Sequence, residues 1–328
     1  MTAAVLGGIG TGSDNERSEY GPPKGFRMAV ETLPSASARG QSLGEELHGA
    51  QRARLLGLLG PGLLWLALFF AAPLVVIVLY SVLTPGRTGA VVWQPTLGNY
   101  VQLFTQELYV NAYWRSLTSG VATTLICLLL GYPLALYIVR SPPRRRAVLL
   151  FLVLIPFWTN FLVRTYAWMI ILANNGPLNS LLGLVNLGPW RVLNSATAVL
   201  IGLVYGELPF MILPLYASID RFDFTLLEAA GDLGASRARA FVRVMLPLTM
   251  PGIAAGSVLV FIPTVGQFVV SDLLGGGKVD YFGNLLQRLF TRSNPPNWPL
   301  GSAMALVFLL AMTAVIVLYF RTTTEADR

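Results

Sequence analysis

Cysteine and histidine are almost missing from this chain: Cys127 and His48 are each the only residue of their kind. A lone cysteine forms no internal disulfide, and one residue of each type leaves no set with the ligand spacing of a zinc or iron site. Charge is scarce too. Asp, Glu, Lys and Arg make up 12% of the residues, against about 25% in a soluble globular domain. No HExxH is present, so metallohydrolase chemistry lacks its ligands. The nearest approach to a phosphate-binding loop, "DLLGGGKV" at 272–279, has Asp272 where glycine is needed and Val279 where Ser or Thr is needed. It reads as a glycine turn, and the chain is expected to be no enzyme and to carry no metal or cofactor of its own. No basic segment leads into an apolar stretch with a cleavage site at the start of the chain, which excludes a signal peptide there.

What the chain has in excess is hydrocarbon. Hydrophobic residues reach 54% and the mean hydropathy is +0.62, which defines an all-α integral membrane protein. A spanning helix needs roughly 20 apolar residues, and six windows meet that: 56–83, 117–139, 147–171, 196–219, 247–272 and 299–320. Six crossings put both termini on one side. With the N-terminus inside, the two short inner loops concentrate Arg140, Arg144, Arg145, Arg146 and Arg221, Arg237, Arg239, Arg243. The longer outer loops dilute Arg87, Arg115, Arg191, Lys278, Arg288 and Arg292, so the bias makes both ends cytoplasmic. The formal net charge of +7 is thereby a topology signal beside membrane lipid, and nucleic acid is not expected as a partner. Residues 1–50, polar and aperiodic with Met28 as an alternative start, read as a disordered cytoplasmic tail. Residues 51–112 hold the first crossing and an outer loop, 113–320 the other five helices, and 321–328 a second cytoplasmic tail.

One polar stretch interrupts the apolar pattern, "TLLEAAGDLGASRARAFVRVMLP" at 225–247, between the fourth and fifth windows. Thr225 followed by Glu228 has the spacing of a capping box, which predicts a helix start at Thr225. Gly234 can adopt the left-handed conformation that closes that helix, Ser236 can cap the next, and Pro247 sets where the fifth crossing begins. Ala229, Ala230, Gly231 and Ala235 keep one side of this knob thin enough to enter a groove on another protein. Glu228-Ala229-Ala230, then Gly234, then Val244-x-Leu246-Pro247 resembles the EAA motif of the membrane subunits of binding-protein-dependent ABC importers, with Val244 in place of the usual isoleucine.

The resemblance continues in "IPFWTNFLVRTYAWMIILANNGPLN" (155–179), "LPFMILPLYASI" (208–219), "VMLPLTMPGI" (244–253) and "SDLLGGG" (271–277), which are similar to permeases of the spermidine/putrescine type. It implies a MetI-like, type I importer fold in a bacterial inner membrane, with a coupling loop over 222–247. It also implies a second permease subunit forming a heterodimer, a dimer of ATPase subunits that bind ATP and Mg, and an extracytoplasmic solute-binding protein. Other organic cations, opines or aminophosphonates remain alternative solutes. A membrane-embedded enzyme would need an acidic cluster or Ser/Lys pair where the inner loops offer arginine, and a channel would omit the knob.

Charges within the windows single out candidate pathway or gate residues. Arg164 and Glu207 lie in the third and fourth windows, where an unpaired charge costs about 3 kcal/mol. They are expected either to pair across adjacent helices or to leave Glu207 free to assist a cationic solute. Gln267 and Asp272, near the outer end of the fifth window, read as substrate or gate contacts, with a cap of the following turn as the alternative for Asp272. Trp158, Tyr166, Trp168, Tyr205, Phe210 and Phe268 read as an interface belt or as a lining for an ammonium group.

Overall fold

Apolar runs without internal charge become helices because only intrasegment hydrogen bonds satisfy a backbone in hydrocarbon. The computed structural model describes residues 57–86, 89–185 and 187–326, so the tail expected over 1–50 lies outside the described residues, as does Arg87. The chain divides into a unit ending at Ala72 and a unit from Pro73 onward. In the first, every described residue is helical and none is buried, and the Trp65 and Phe69 rings sit 4.2 Å apart, one turn from each other.

In chain order, α1 spans Gly57–Ser81, and β1 (Leu83–Pro85) pairs antiparallel with β2 (Val91–Pro95). There follow α2 (Gly98–Thr105), α3 (Glu107–Arg140), α4 (Pro143–Leu154), α5 (Phe161–Leu172), α6 (Pro177–Leu184) and α7 (Ala196–Asp220). Then come α8 (Thr225–Asp232), α9 (Arg237–Ala240), α10 (Met250–Gly266), α11 (Val269–Gly275), α12 (Phe282–Gln287) and α13 (Trp298–Ala326).

The helices α1, α3, α7 and α13 are long and apolar enough to cross a membrane. The third and fifth windows form no straight helix. Pro143–Trp158 meets Phe161–Leu184 at 94°, because α4 tightens into a 3₁₀ turn at Ile155–Trp158 around Pro156 and Asn160 starts α5 afresh, accepting from the Leu162 amide at 2.8 Å. Arg237–Leu248 meets Met250–Gly266 at 67°. Six crossings are reached when each bent pair counts as one. Pro247 does not mark a helix start there: it lies inside the helical segment before the bend at Thr249. The C-terminal tail expected from residue 321 is helical through Ala326.

The second unit is organised on α3, α7 and α10. Cys127, Ile138, Met211, Leu215, Ile219 and Val260 are wholly buried among them. Glycine permits the approach: a Cβ on Gly256 would stand 2.8 Å from the Met211 sulfur and 3.2 Å from its carbonyl oxygen. Nearer the expected outer face, Leu103, Phe282, Leu300 and Met304 form a second cluster joining α2, α12 and α13. Buried polar groups in native interiors need hydrogen-bond partners, and two near this cluster have them. Asn99 donates to the carbonyls of Ser81 (3.0 Å) and Leu83 (2.8 Å), and Tyr113 to that of Met304 (2.9 Å).

Candidate functional site

The knob between α7 and α10 is built by local chain chemistry. α8 begins at Thr225, but no capping box forms there: Phe224 occupies the N-cap position and makes no side-chain cap. Asp223 supplies the bonds instead, its Oδ1 accepting from the Thr225 amide (3.0 Å) and hydroxyl (2.8 Å). These two bonds hold the Asp223 carboxyl below its ordinary range. The Thr225 hydroxyl therefore donates backward, and the Glu228 carboxylate has no partner among the described residues; its charge in the first turn favours the helix dipole. Asp223, two residues ahead of Thr225, was legible as an Asx turn.

The other end of α8 follows the sequence closely. Gly234 has φ +83°, its amide bonds the Gly231 carbonyl (2.9 Å), and the Ala235 amide reaches back to the Ala230 carbonyl (2.9 Å). That pair of bonds is a Schellman closure, which demands a residue free to adopt positive φ at its penultimate position. The spacing from Ala230 to Gly234 and Ala235 thus has a backbone cause. Ser236 then caps α9 through the Arg239 amide, and the helix continues through a π turn at Phe241–Met245. Glu228, Ala229, Gly231, Gly234 and Pro247 are exposed, Ala230, Ala235 and Leu246 half-buried. Leu233, at the apex, is 90% exposed.

Basic residues of the α3–α4 connection grip the root of the knob. Arg146 forms an ion pair with Asp220 at 2.6 Å, hydrogen-bonds the Tyr216 hydroxyl and stacks on that ring at 4.8 Å. Arg140 lies over Phe224 at 5.3 Å. Phe222 and Phe224 meet edge to face at 5.3 Å. The α3–α4 connection and the segment after α7 are in this way joined at one base.

The intramembrane charges do not pair. Among the described residues the ion pairs are Arg146–Asp220, Arg288–Asp280 and Arg292–Asp272, so the expected Arg164–Glu207 bridge is absent. Arg164 shares a small pocket with Trp168, Gly202, Tyr205 and Gly206, while Glu207 is buried at 8% exposure with Oε2 unpartnered, as is Arg164 Nε. Arg164 on α5 and Glu207 on α7 form no ion pair, a geometry invisible to window-level reading. Tyr166 is half exposed. Trp168 packs on Tyr205 at 5.4 Å, and Phe210 on Phe157 at 4.9 Å.

Gln267 and Asp272 are engaged locally. Gln267 Oε1 accepts from the Phe268 and Val269 amides (3.1 and 3.3 Å) and so starts α11. Asp272 binds Asn284 Nδ2 (2.6 Å) and Arg292 (3.3 Å), tying α11 to α12 and the turn after it. The glycine turn is confirmed: Gly276 and Gly277 both have positive φ, at 60° and 69°.

Comparison with known proteins agrees with this architecture. Residues 127–323 match the family model described as the inner membrane component of binding-protein-dependent transport systems. The spermidine/putrescine transport system permease protein PotB of Haemophilus influenzae is 44% identical over 268 residues, 80% of this chain and 92% of that protein. The fold is similar to that of a bacterial ABC transporter involved in import of the acidic polysaccharide alginate (TM-score 0.66, 18% identity, 87% of this chain and 100% of that one). It is also similar to the bacterial alginate transporter in complex with its pentasaccharide-bound periplasmic protein (TM-score 0.63, 18% identity, 82% and 93%).

Proposed function

Since the chain belongs to the family of binding-protein-dependent transport system inner membrane components, we propose that it is the permease subunit of an ATP-driven importer of spermidine and putrescine, coupled to its motor through residues 222–247. The family makes it a multi-pass membrane permease with the MetI-like fold. The solute is inferred from its 44% identity to PotB. ATP and Mg belong to a pair of partner ATPase subunits, a second permease completes the pathway, and a binding protein delivers solute on the extracytoplasmic side. Both termini are cytoplasmic. On this reading the first crossing lies within 51–112 and the five-helix core within 113–320.

The observation carrying the coupling role is the Schellman-closed knob with Leu233 at its exposed apex, joined at its base to the α3–α4 connection. A contact shifts a conformational equilibrium only if it has different free energies in the two states. A lever that relaxes locally transmits none of that difference. Thr225, Glu228, Ala229, Ala230, Gly231, Gly234, Ala235, Leu246 and Pro247 form the coupling surface and its supports. Arg164, Tyr166, Glu207, Gln267 and Asp272 are assigned to the pathway or its gate, with Gln267 and Asp272 acting by holding α11. Accumulation of radiolabelled spermidine in cells with and without the subunit tests the reading; equal accumulation refutes it.

A further inference from the structure

Cations on the expected outer side contribute nothing to topology, since the positive charge that sets orientation lies inside. They require another reason to be there. Arg288 and Arg292 have one, being neutralised by Asp280 (2.6 Å) and Asp272 (3.3 Å). Arg115 of α3 and Lys278 after α11 do not: both are exposed, both line one cavity of about 490 Å³, and neither forms an ion pair among the described residues. Thr118, Ser119 and Tyr281 add hydroxyls to the same cavity, and Ala196, at the start of the 25-residue helix α7, closes one side. No Asp or Glu lines the cavity.

Two exposed cations without an acidic neighbour in one cavity form a receptor for carboxylate. A polyamine is itself a polycation and is repelled from such a place, which excludes the solute as occupant. We propose that the cavity receives carboxylate side chains at the rim of the solute cleft of the extracytoplasmic binding protein. This rests on the reading of the chain as a polyamine permease with that surface outside. A protein that carries a polycation must hold it with carboxylates, and those at the mouth of its cleft face the permease on docking. Arg115 and Lys278 then compete with the polyamine for the same anions, so that docking and release of the solute share one set of contacts.

The test uses the complete complex of both permeases and the ATPase in nanodiscs, titrated with spermidine-loaded binding protein. Arg115→Gln and Lys278→Gln are each expected to weaken docking by about two- to fivefold, the range of exposed ion pairs. Arg115→Glu with Lys278→Glu is expected to weaken it by more than about tenfold and to flatten its dependence on salt, as loss of steering charges does. Reversing an acidic residue at the cleft rim of the binding protein should restore affinity for the doubly reversed permease. ATP hydrolysis without binding protein should stay unchanged, and co-purification of the ATPase confirms assembly. Assembled variants with wild-type affinity and salt dependence overturn the proposal, as does a defect that appears only when anionic lipid is present, which would mark a lipid headgroup site. Intact wild-type spermidine uptake with unaltered variants removes the docking site alone. Absence of wild-type spermidine uptake removes the polyamine reading and this proposal with it.

Discussion

Substitution of Gly234 separates a backbone requirement from a steric one. The residue sits at φ +83°, and a Cβ placed on it meets no atom within 4 Å. Within this chain a side chain there is therefore strained but never crowded. The left-handed conformation costs an ordinary L-residue roughly 1–2 kcal/mol, a factor of about five to thirty in the population of the closed cap, whereas asparagine adopts it readily. Valine, β-branched, is a stronger outlier than alanine. Uptake and binding-protein-stimulated ATP hydrolysis in reconstituted complexes should rank Gly234 close to Gly234→Asn, then Gly234→Ala, then Gly234→Val. Size alone would place alanine above asparagine, so this one inversion decides the matter. Since the strain is confined to an exposed turn, all the variants should still insert and fold. Alanine matching glycine while asparagine fails would refute the cap as the reason for glycine and point to a tight partner surface.

Gly252→Ala should lower thermal stability by about 1–3 kcal/mol, because its Cβ would stand 2.9 Å from the Pro214 carbonyl oxygen and meet the Ser218 side chain. Gly206→Ala, where nothing lies within 4 Å, is the control, and equal melting temperatures would refute the account. Arg146→Gln removes a half-exposed ion pair worth about 0.2–1 kcal/mol, so it should leave folding intact yet reduce transport per ATP hydrolysed; unchanged coupling would show that the base of the knob does not depend on Arg146. Asp223→Ala should speed hydrogen exchange at the start of α8. In the parent protein the lowered Asp223 carboxyl contributes above its ordinary range and is lost as pH falls through the depressed value, so protection of that turn should be constant from pH 5 to 8 and fail only in stronger acid. Protection lost already near pH 6 would contradict it. Glu207→Gln breaks no ion pair and removes a buried charge, so it should keep or raise thermal stability; a large loss would mean that Glu207 has a partner after all.

The sequence exposed those features whose causes are local. The left-handed turn at Gly234, the Ser236 cap and the long crossings α3, α7 and α13 each follow from residues a few positions apart. The cap of α8 departs from the expected one because Thr225 and Glu228 fit one template while Asp223, just outside it, offers a carboxylate already aimed at the same amide. Proline marked position 156 but not the 94° turn, which needs the fresh helix start at Asn160 as well. The β1–β2 hairpin had no legible signal, its strands being short and ending in prolines. Arg146 and Asp220 are joined across two helices, whereas Arg164 and Glu207, also on two helices, form no ion pair. Neither follows from hydropathy, which reports depth in the membrane but not azimuth around a helix.

Those long-range contacts also limit how force leaves the knob. An ion pair at Arg146 and cation–π contacts at Arg140 and Arg146 amount to about 1–3 kcal/mol together. Moving a two-state transporter from 1:99 to 99:1 takes about 5.5 kcal/mol of differential binding. The straps at the base are weaker than the signal and would yield before passing it on alone. The covalent route is different in kind: α9 runs through its π turn and Leu246–Leu248 into α10 without a loop, bending only at Thr249. That bend is pinned from inside, for Thr249 is wholly buried, donates to the Met245 carbonyl at 2.8 Å and accepts from the Tyr132 hydroxyl of α3 at 2.9 Å. On the proposed coupling role, motion of the knob would turn α10 against α3 about this point, with the arginines fixing the direction of the stroke and the backbone bearing its load.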